Sequence, residues 1–394
     1  MTVAVNEFPR AASTASSAAE RSDALGWLQV LRGLAALAVV LFHFKEPMAR
    51  DWPVLARLFA GGAMGVDVFF VLSGFIICYA TRSVRSQQPG AFLVRRFARI
   101  IPPAWAVMVL MMIARPPYLK DLISGFLFVL PASSPAPHYG HGFLIVAWTL
   151  TYELYFYAMF ALSIALSRRL GWHRATVCVA LMLLVMGSAQ LLLGGVTLSP
   201  LGAPDWRPLP AVSGASLFGV MANPMIVEFL FGVGLALVHQ RWLQRLSLRS
   251  AALTAVLCAG LAAVWVSGLT NALGEVVQGP LGAGGPAVLI VLSVLAVQRL
   301  DDVAGRRWLA LLVGRMVAHL GDVSYSLYLV HPVLRAVLVT AGAKLGWPTG
   351  AMVSALGIML SVIAASVLYR WVEVPSQALG RRWAQAVSRD RSPA

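Results

Sequence analysis

The chain has 394 residues, of which 59% are hydrophobic and only 12% charged, and its formal net charge is +15. That balance excludes an ordinary soluble domain, in which about a quarter of the residues are charged. The excess of cations does not indicate a nucleic-acid binder, because the arginines fall in separate clusters between apolar runs.

Residues 1–26 are rich in Ala and Ser and lack the continuous apolar stretch of a signal peptide, so they are expected to form a disordered cytoplasmic tail. Apolar runs then follow at about 28–46, 64–81, 99–114, 143–166, 174–194, 224–239, 250–269, 283–299, 322–342 and 350–372. Several reach the length of about 18 to 20 residues that crosses a bilayer. Long aliphatic runs without strict alternation point to helices and away from a β-barrel. The expected fold is an all-α polytopic membrane protein of about ten transmembrane helices, one unit over 27–382, with a cytoplasmic tail over 383–394 and no appended soluble domain.

Every second loop is basic. Arg82, Arg85, Arg95, Arg96 and Arg99 lie between the second and third runs, and Arg168, Arg169 and Arg174 follow the fourth. Arg241, Arg245 and Arg249 follow the sixth, Arg306, Arg307 and Arg315 the eighth, and Arg381, Arg382, Arg389 and Arg391 the tenth. The alternate loops hold few cations, such as Arg207 and Lys344. This positive-inside pattern sets both termini in the cytoplasm and fits an even number of spans, with most of these arginines at lipid headgroups. Cys78, Cys178 and Cys258 lie in apolar runs without metal-ligand spacing, so they read as small core residues and no metal is expected.

Ionisable residues inside such runs mark functional sites, because lipid tolerates them poorly. The first run carries Arg32 near one end and His43 near the other, about 16 Å apart along a helix. Asp67 in the second run falls at a depth similar to His43, where an acid would hold an imidazole's tautomer, although it also suits a helix N-terminus. Ser73-Gly74 is a small pair that permits close helix approach. Glu153, within Trp148-Thr-Leu-Thr-Tyr-Glu153, lies near mid-depth, as either a functional acid or a neutral hydrogen-bonding group. His331 is also at mid-depth. It precedes Pro332, whose missing donor frees a carbonyl one turn back, so it reads equally as a filler of that break. Arg370 and Glu373 have the spacing of a local pair at the end of the tenth run.

These segments resemble the acyltransferase-3 family of integral membrane acyltransferases, from Leu28 to about Arg382. The signatures occur in order: Arg32-Gly33 with His43; Gly65-Val-Asp-Val-Phe-Phe-Val-Leu-Ser-Gly74; Arg95-Arg96-Phe-Ala-Arg99-Ile-Ile-Pro102; Trp148 to Glu153 with Phe156-Tyr157; Ser324-Tyr325-Ser-Leu-Tyr328 with His331-Pro332; and Glu373-Val-Pro375. The branch that O-acetylates exopolysaccharide and lipopolysaccharide is the most similar in flavour. The resemblance implies a multi-pass protein of the bacterial inner membrane, a cytoplasmic acyl-CoA donor such as acetyl-CoA, and a hydroxyl of a glycan or lipid-linked sugar as acceptor. It implies an essential His43 supported by arginines at positions 32, 96 and 99. Arg82 and Arg85 share the Arg96–Arg99 spacing and stay open as the alternative. Ser73, Trp148, Tyr325, His331 and Glu373 are further motif residues.

The chemistry fits these residue types. Acyl transfer to a hydroxyl needs a base and stabilisation of the oxyanion. His43 suits the base or a transient acyl carrier, with Asp67 or Glu153 to orient it, and arginine binds phosphate in a bidentate fork. The loops 115–142 and 195–223, with Tyr118, Tyr139 and Trp206, are expected to shape the acceptor site. The rival reading is a transporter that uses buried His, Glu and Arg as a proton or anion path, although no repeat symmetry accompanies them.

Overall fold

The computed structural model describes residues 26–82, 88–114, 118, 123, 125–126, 136–139, 143–201, 215–269, 276–305, 315–346 and 350–389. These residues build an all-helical bundle. Nine helical segments among them are long and apolar enough to cross a membrane. The expected run 283–299 also forms a helix, Gly284–Val303, so each of the ten expected spans has its counterpart. The expected tail over 1–26 lies outside the described residues except for Gly26, and Arg85, Arg207, Arg306, Arg307, Arg391 and Trp206 lie outside them as well.

The elements that position the site are α1 (Gly26–His43), α2 (Lys45–Ala49), α3 (Pro53–Ala60), α4 (Gly65–Ala80), α5 (Pro89–Ala114), α6 (Ala147–Leu170), α7 (Arg174–Leu192) and α8 (Ala215–Ala222). They continue with α9 (Ile226–Arg241), α10 (Leu248–Leu269), α11 (Gly284–Val303), α12 (Arg315–Asp322), α13 (Ser324–Leu345), α14 (Ala351–Leu368) and α15 (Val374–Arg389).

Packing follows membrane rules. Without a hydrophobic drive between helices in lipid, small residues bring backbones together. α10 shows the inversion clearly: it buries Ala251, Ala255, Cys258 and Ala262, and exposes Leu253, Val256, Leu257, Leu261 and Val264. Its small stripe lies on α11, and its large side chains face outward as they would toward lipid. α4 and α9 cross at two glycines. A Cβ on Gly74 would lie 2.0 Å from the Phe229 carbonyl oxygen, and one on Gly232 would lie 1.9 Å from that of Val71. Gly74 therefore serves the close approach expected of the Ser73-Gly74 pair, whereas Ser73 faces a cavity. The three cysteines are free and buried.

α1 packs against α4, α11, α12 and α13 and is clamped at both ends. At its start the Trp27 ring N–H donates to Asp301 of α11 at 2.9 Å, and Gly33 lies so close to α12 that a Cβ would sit 2.6 Å from the Gly321 nitrogen. At its other end Phe44 is fully buried against Gly357 of α14, and the Ser354 hydroxyl donates to the Phe44 carbonyl at 2.9 Å. This end fixes His43.

Two boundaries differ from the hydropathy reading. α5 begins at Pro89, ten residues before the expected 99, and holds Arg95, Arg96 and Arg99 within its regular helix. Hydropathy truncates the span because guanidiniums count against it, yet here Arg96 and Arg99 face a cavity lined by protein. At the far end the chain does not become a tail at 383. After a single π-type turn, Tyr369–Glu373, it continues as α15 to Arg389 along α5, with Gly380 against Ala98 and Ala384 buried. The turn inserts an extra residue and leaves Glu373 buried, whereas Trp371 stays exposed.

Candidate active site

Two cavities lie end to end along α1. The first is lined by Arg32 of α1, Arg96 and Arg99 of α5, Ser73 of α4, Glu153 of α6 and Tyr325 of α13. The second is lined by His43 of α1 together with Phe42, His138, Trp148, Pro200 and Val277. They share two lining residues, Val66 of α4 and Tyr328 of α13. The sequence interval from Arg32 to His43 thus becomes the distance from one chamber to the next.

In the arginine cavity the cations come from two helices. Positions 96 and 99 lie one turn apart on α5, so both guanidiniums reach the same side, and α1 brings Arg32 to meet them. Arg32 is held by Gln29, whose side-chain oxygen accepts its N–H at 2.9 Å. Arg96 lies beside the rings of Phe92 and Tyr157, 5.5 and 5.4 Å from their centroids. Among the described residues, no ion pair neutralises Arg32, Arg96 or Arg99. Of the alternative pair, Arg82 turns away: its Nε donates to the Tyr79 carbonyl at 3.0 Å and its guanidinium lies over the Tyr79 ring.

The nearby acids are engaged by neutral donors. The Tyr157 hydroxyl donates to Glu153 at 2.5 Å and the Ser73 hydroxyl at 3.5 Å. Glu373 accepts the Ser326 hydroxyl at 2.7 Å and the Gln377 amide at 3.0 Å. The Tyr325 hydroxyl donates to the Ile100 carbonyl at 2.8 Å, which ties α13 to α5 beside Arg99. Three guanidiniums facing two carboxylates leave this chamber a net cation site.

In the histidine cavity the imidazole of His43 meets another imidazole rather than an acid. His331 Nε2 lies 3.2 Å from His43 Nδ1, and their ring centroids are 4.9 Å apart. The tautomers follow from the partners. His331 Nδ1 lies 3.1 Å from the Leu327 carbonyl, an acceptor, so that nitrogen carries the hydrogen and its neutral ring presents a lone pair at Nε2. His43 Nδ1 lies between that lone pair and the Val39 carbonyl at 2.9 Å, both acceptors, so it is also N–H. The Nε2 of His43 is left with the lone pair, and His43 lines the cavity. His331 thereby does two things at once. It hydrogen-bonds the Leu327 carbonyl, next to the Tyr328 carbonyl that Pro332 leaves without its helical donor, and it fixes the working nitrogen of His43.

The acids expected to orient His43 are elsewhere. Glu153 lies in the arginine cavity. Asp67 is fully buried and accepts the Gly279 N–H at 3.1 Å, with the buried Glu228 of α9 beside it. Asp67 thus holds the segment 276–279, whose Val276, Val277 and Gln278 wall the histidine cavity. Trp148 lines that cavity too, with its ring edge-on to His138 at 4.8 Å. Of the loop aromatics, Tyr139 is buried and Tyr118 is exposed. Glu228 was not expected from the sequence, yet the signal that singles out His43, an ionisable group within an apolar run, applies equally to it. The shared-wall residues Val66 and Tyr328 carry no such signal.

Comparison with known proteins agrees with this architecture. Residues 25–371 match the acyltransferase domain that defines the acyltransferase-3 family. The exopolysaccharide production protein ExoZ of Rhizobium meliloti is 30% identical over 354 residues, covering 87% of this chain and 96% of ExoZ. The acyltransferase MdmB of Streptomyces mycarofaciens is 28% identical over 393 residues, 91% of this chain and 94% of its own length. The peptidoglycan O-acetyltransferase OatA of Listeria monocytogenes is 35% identical over 111 residues, 25% of this chain and 16% of OatA. No solved structure matches.

Proposed function

The chain belongs to the acyltransferase-3 family of multi-pass membrane acyltransferases, and on that premise we propose that it moves an acyl group from cytoplasmic acyl-CoA to a hydroxyl of an exported glycan. The observation that carries this reading is the pair of adjoining cavities, one lined by Arg32, Arg96 and Arg99 and the other by His43. The relatives support the acceptor class, since one is named for exopolysaccharide production and another as a peptidoglycan O-acetyltransferase. The basic clusters at alternate loops support an orientation with the arginine chamber on the cytoplasmic side and both termini inside, in a bacterial inner membrane.

In this reading Arg32, Arg96 and Arg99 grip the phosphates of coenzyme A, for which planar guanidiniums are suited. The pantetheine arm extends about 15–20 Å, matching the roughly 16 Å rise from Arg32 to His43, so the thioester reaches the chamber of His43. His43 Nε2 takes the proton of the acceptor hydroxyl as its oxygen attacks the thioester carbon. The coenzyme A thiolate leaves and recovers a proton from His43. His331 accepts the His43 Nδ1–H throughout and so steadies the imidazolium that forms.

The test uses the full chain in lipid nanodiscs with acetyl-CoA and chemically de-O-acylated bacterial exopolysaccharide as acceptor probe, reading ester-bound acetyl by mass spectrometry. His43→Ala should lower transfer by about 100-fold or more, the scale of a general base. Undiminished transfer by a folded variant overturns the role of His43. Acyl-enzyme trapped with donor alone overturns direct attack.

A further inference from the structure

We propose that His138 and Gln278 bind the acceptor sugar beside His43 by hydrogen bonds to its hydroxyls. This rests on the function proposed above and adds the residues that recognise the acceptor. Both side chains line the chamber of His43. The segments that present them lie between α5 and α6 and between α10 and α11, and a third wall segment, with Pro200 and Leu201, lies between α7 and α8. All three connections alternate with the basic loops, so the wall belongs to the face on which an exported glycan arrives.

The wall is held in place by the protein itself. Three fully buried side chains each fix one segment of it. The Tyr152 hydroxyl donates to the Pro137 carbonyl at 3.1 Å, the Asn223 amide donates to the Pro200 carbonyl at 3.1 Å, and Asp67 accepts the Gly279 N–H at 3.1 Å. Gly279 adopts a φ of +108° and passes so close to Pro200 that a Cβ would lie 2.2 Å from its Cγ, so two of the segments brace each other. On either side of His138 the chain is buried, at Pro137 and at Tyr139, whose ring lies against Gly219 of α8. His138 itself is exposed, with its ring edge-on to Trp148 at 4.8 Å. An exposed polar side chain between two buried anchors is what this segment presents to the chamber. The Tyr328 hydroxyl, by contrast, is engaged by the Thr149 hydroxyl at 2.9 Å and the Val146 carbonyl at 3.4 Å. Sugar hydroxyls both donate and accept, and a neutral imidazole and a primary amide each offer a donor and an acceptor in return. A few polar groups set in a mostly apolar wall fix the orientation of a bound molecule, and a wall already held in place loses little freedom on binding.

The experiment uses the full chain in nanodiscs with acetyl-CoA and de-O-acylated exopolysaccharide, and measures kcat and the KM of each substrate. His138→Phe keeps a ring against Trp148 and removes its hydrogen bonds, and Gln278→Leu does the same for the amide. Each should raise the acceptor KM by about 2- to 12-fold, the scale of one neutral hydrogen bond, and the double variant should raise it by about the product of the two. The acetyl-CoA KM should stay within about two-fold of wild type. His138→Gln, which again offers a donor and an acceptor, should recover part of the loss. Gln278→Leu tests the wall independently should His138→Phe fail to fold, since the two residues lie on separate segments. A folded double variant whose acceptor KM stays within about two-fold of wild type overturns the assignment. So does a matching rise in the acetyl-CoA KM, which would put these side chains on the pantetheine arm instead. A wild-type chain that transfers nothing overturns the proposed function itself, an outcome distinct from a working enzyme with an unmoved acceptor KM.

Discussion

Replacing His331 by phenylalanine isolates the contact between the two imidazoles. Phe fills a similar volume but offers no lone pair to His43 Nδ1, which keeps only the Val39 carbonyl. In the transition state His43 is cationic, and a hydrogen bond to a charged group contributes about 1.5–3 kcal/mol. At 1.36 kcal/mol per decade, the loss corresponds to about 10- to 150-fold in kcat. The donor KM should barely move, because His331 is not among the residues around the arginines. His331→Phe also strips a donor from the Leu327 carbonyl, so thermal unfolding in nanodiscs must accompany the kinetics. The double variant with His43→Ala should be no slower than His43→Ala alone, since His331 acts through His43. His331→Gln, which keeps an acceptor, should recover part of the rate. A folded His331→Phe with kcat within two-fold of wild type, or an additive loss in the double variant, refutes the relay.

Arg32→Gln should raise the KM for acetyl-CoA about 10- to 150-fold, the scale of a lost charge-assisted contact. The difference should vanish with acetyl-pantetheine, which lacks the phosphates, and a defect that persists there argues against phosphate binding. Asp67→Asn keeps an acceptor for the Gly279 N–H and gives Glu228 a donor, so transfer should stay within about three-fold of wild type; Asp67→Ala should cost about 1–3 kcal/mol of stability through the orphaned N–H. A well-folded Asp67→Asn as inactive as His43→Ala places Asp67 in the chemistry instead.

Much of this protein is written locally. The apolar runs dictate helices because lipid leaves the backbone no other way to satisfy its hydrogen bonds. Arg32 and His43 stand out because each ionisable group contradicts the run around it, and their separation follows from helical rise alone. The same rule overlooked the start of α5, where Arg95, Arg96 and Arg99 read as a loop. A hydropathy window sees charge but not the protein-lined chamber that accepts it.

Partnership between helices is not local. Asp67 and His43 fall at the same depth on successive spans, which suggests contact, but depth says nothing about the direction in which each side chain points around its helix axis. Rotation of α4 turns Asp67 to Gly279 and Glu228, while α13, nearly three hundred residues further along the chain, brings His331 to His43. The helices, their lengths and the unusual polar residues were therefore set by amino-acid order, through the cost of polar groups in hydrocarbon. Which imidazole faces which, and that two chambers adjoin at Val66 and Tyr328, was decided only by how the helices rotate and cross, and glycines such as Gly33, Gly74 and Gly232 permit those crossings by letting backbones touch.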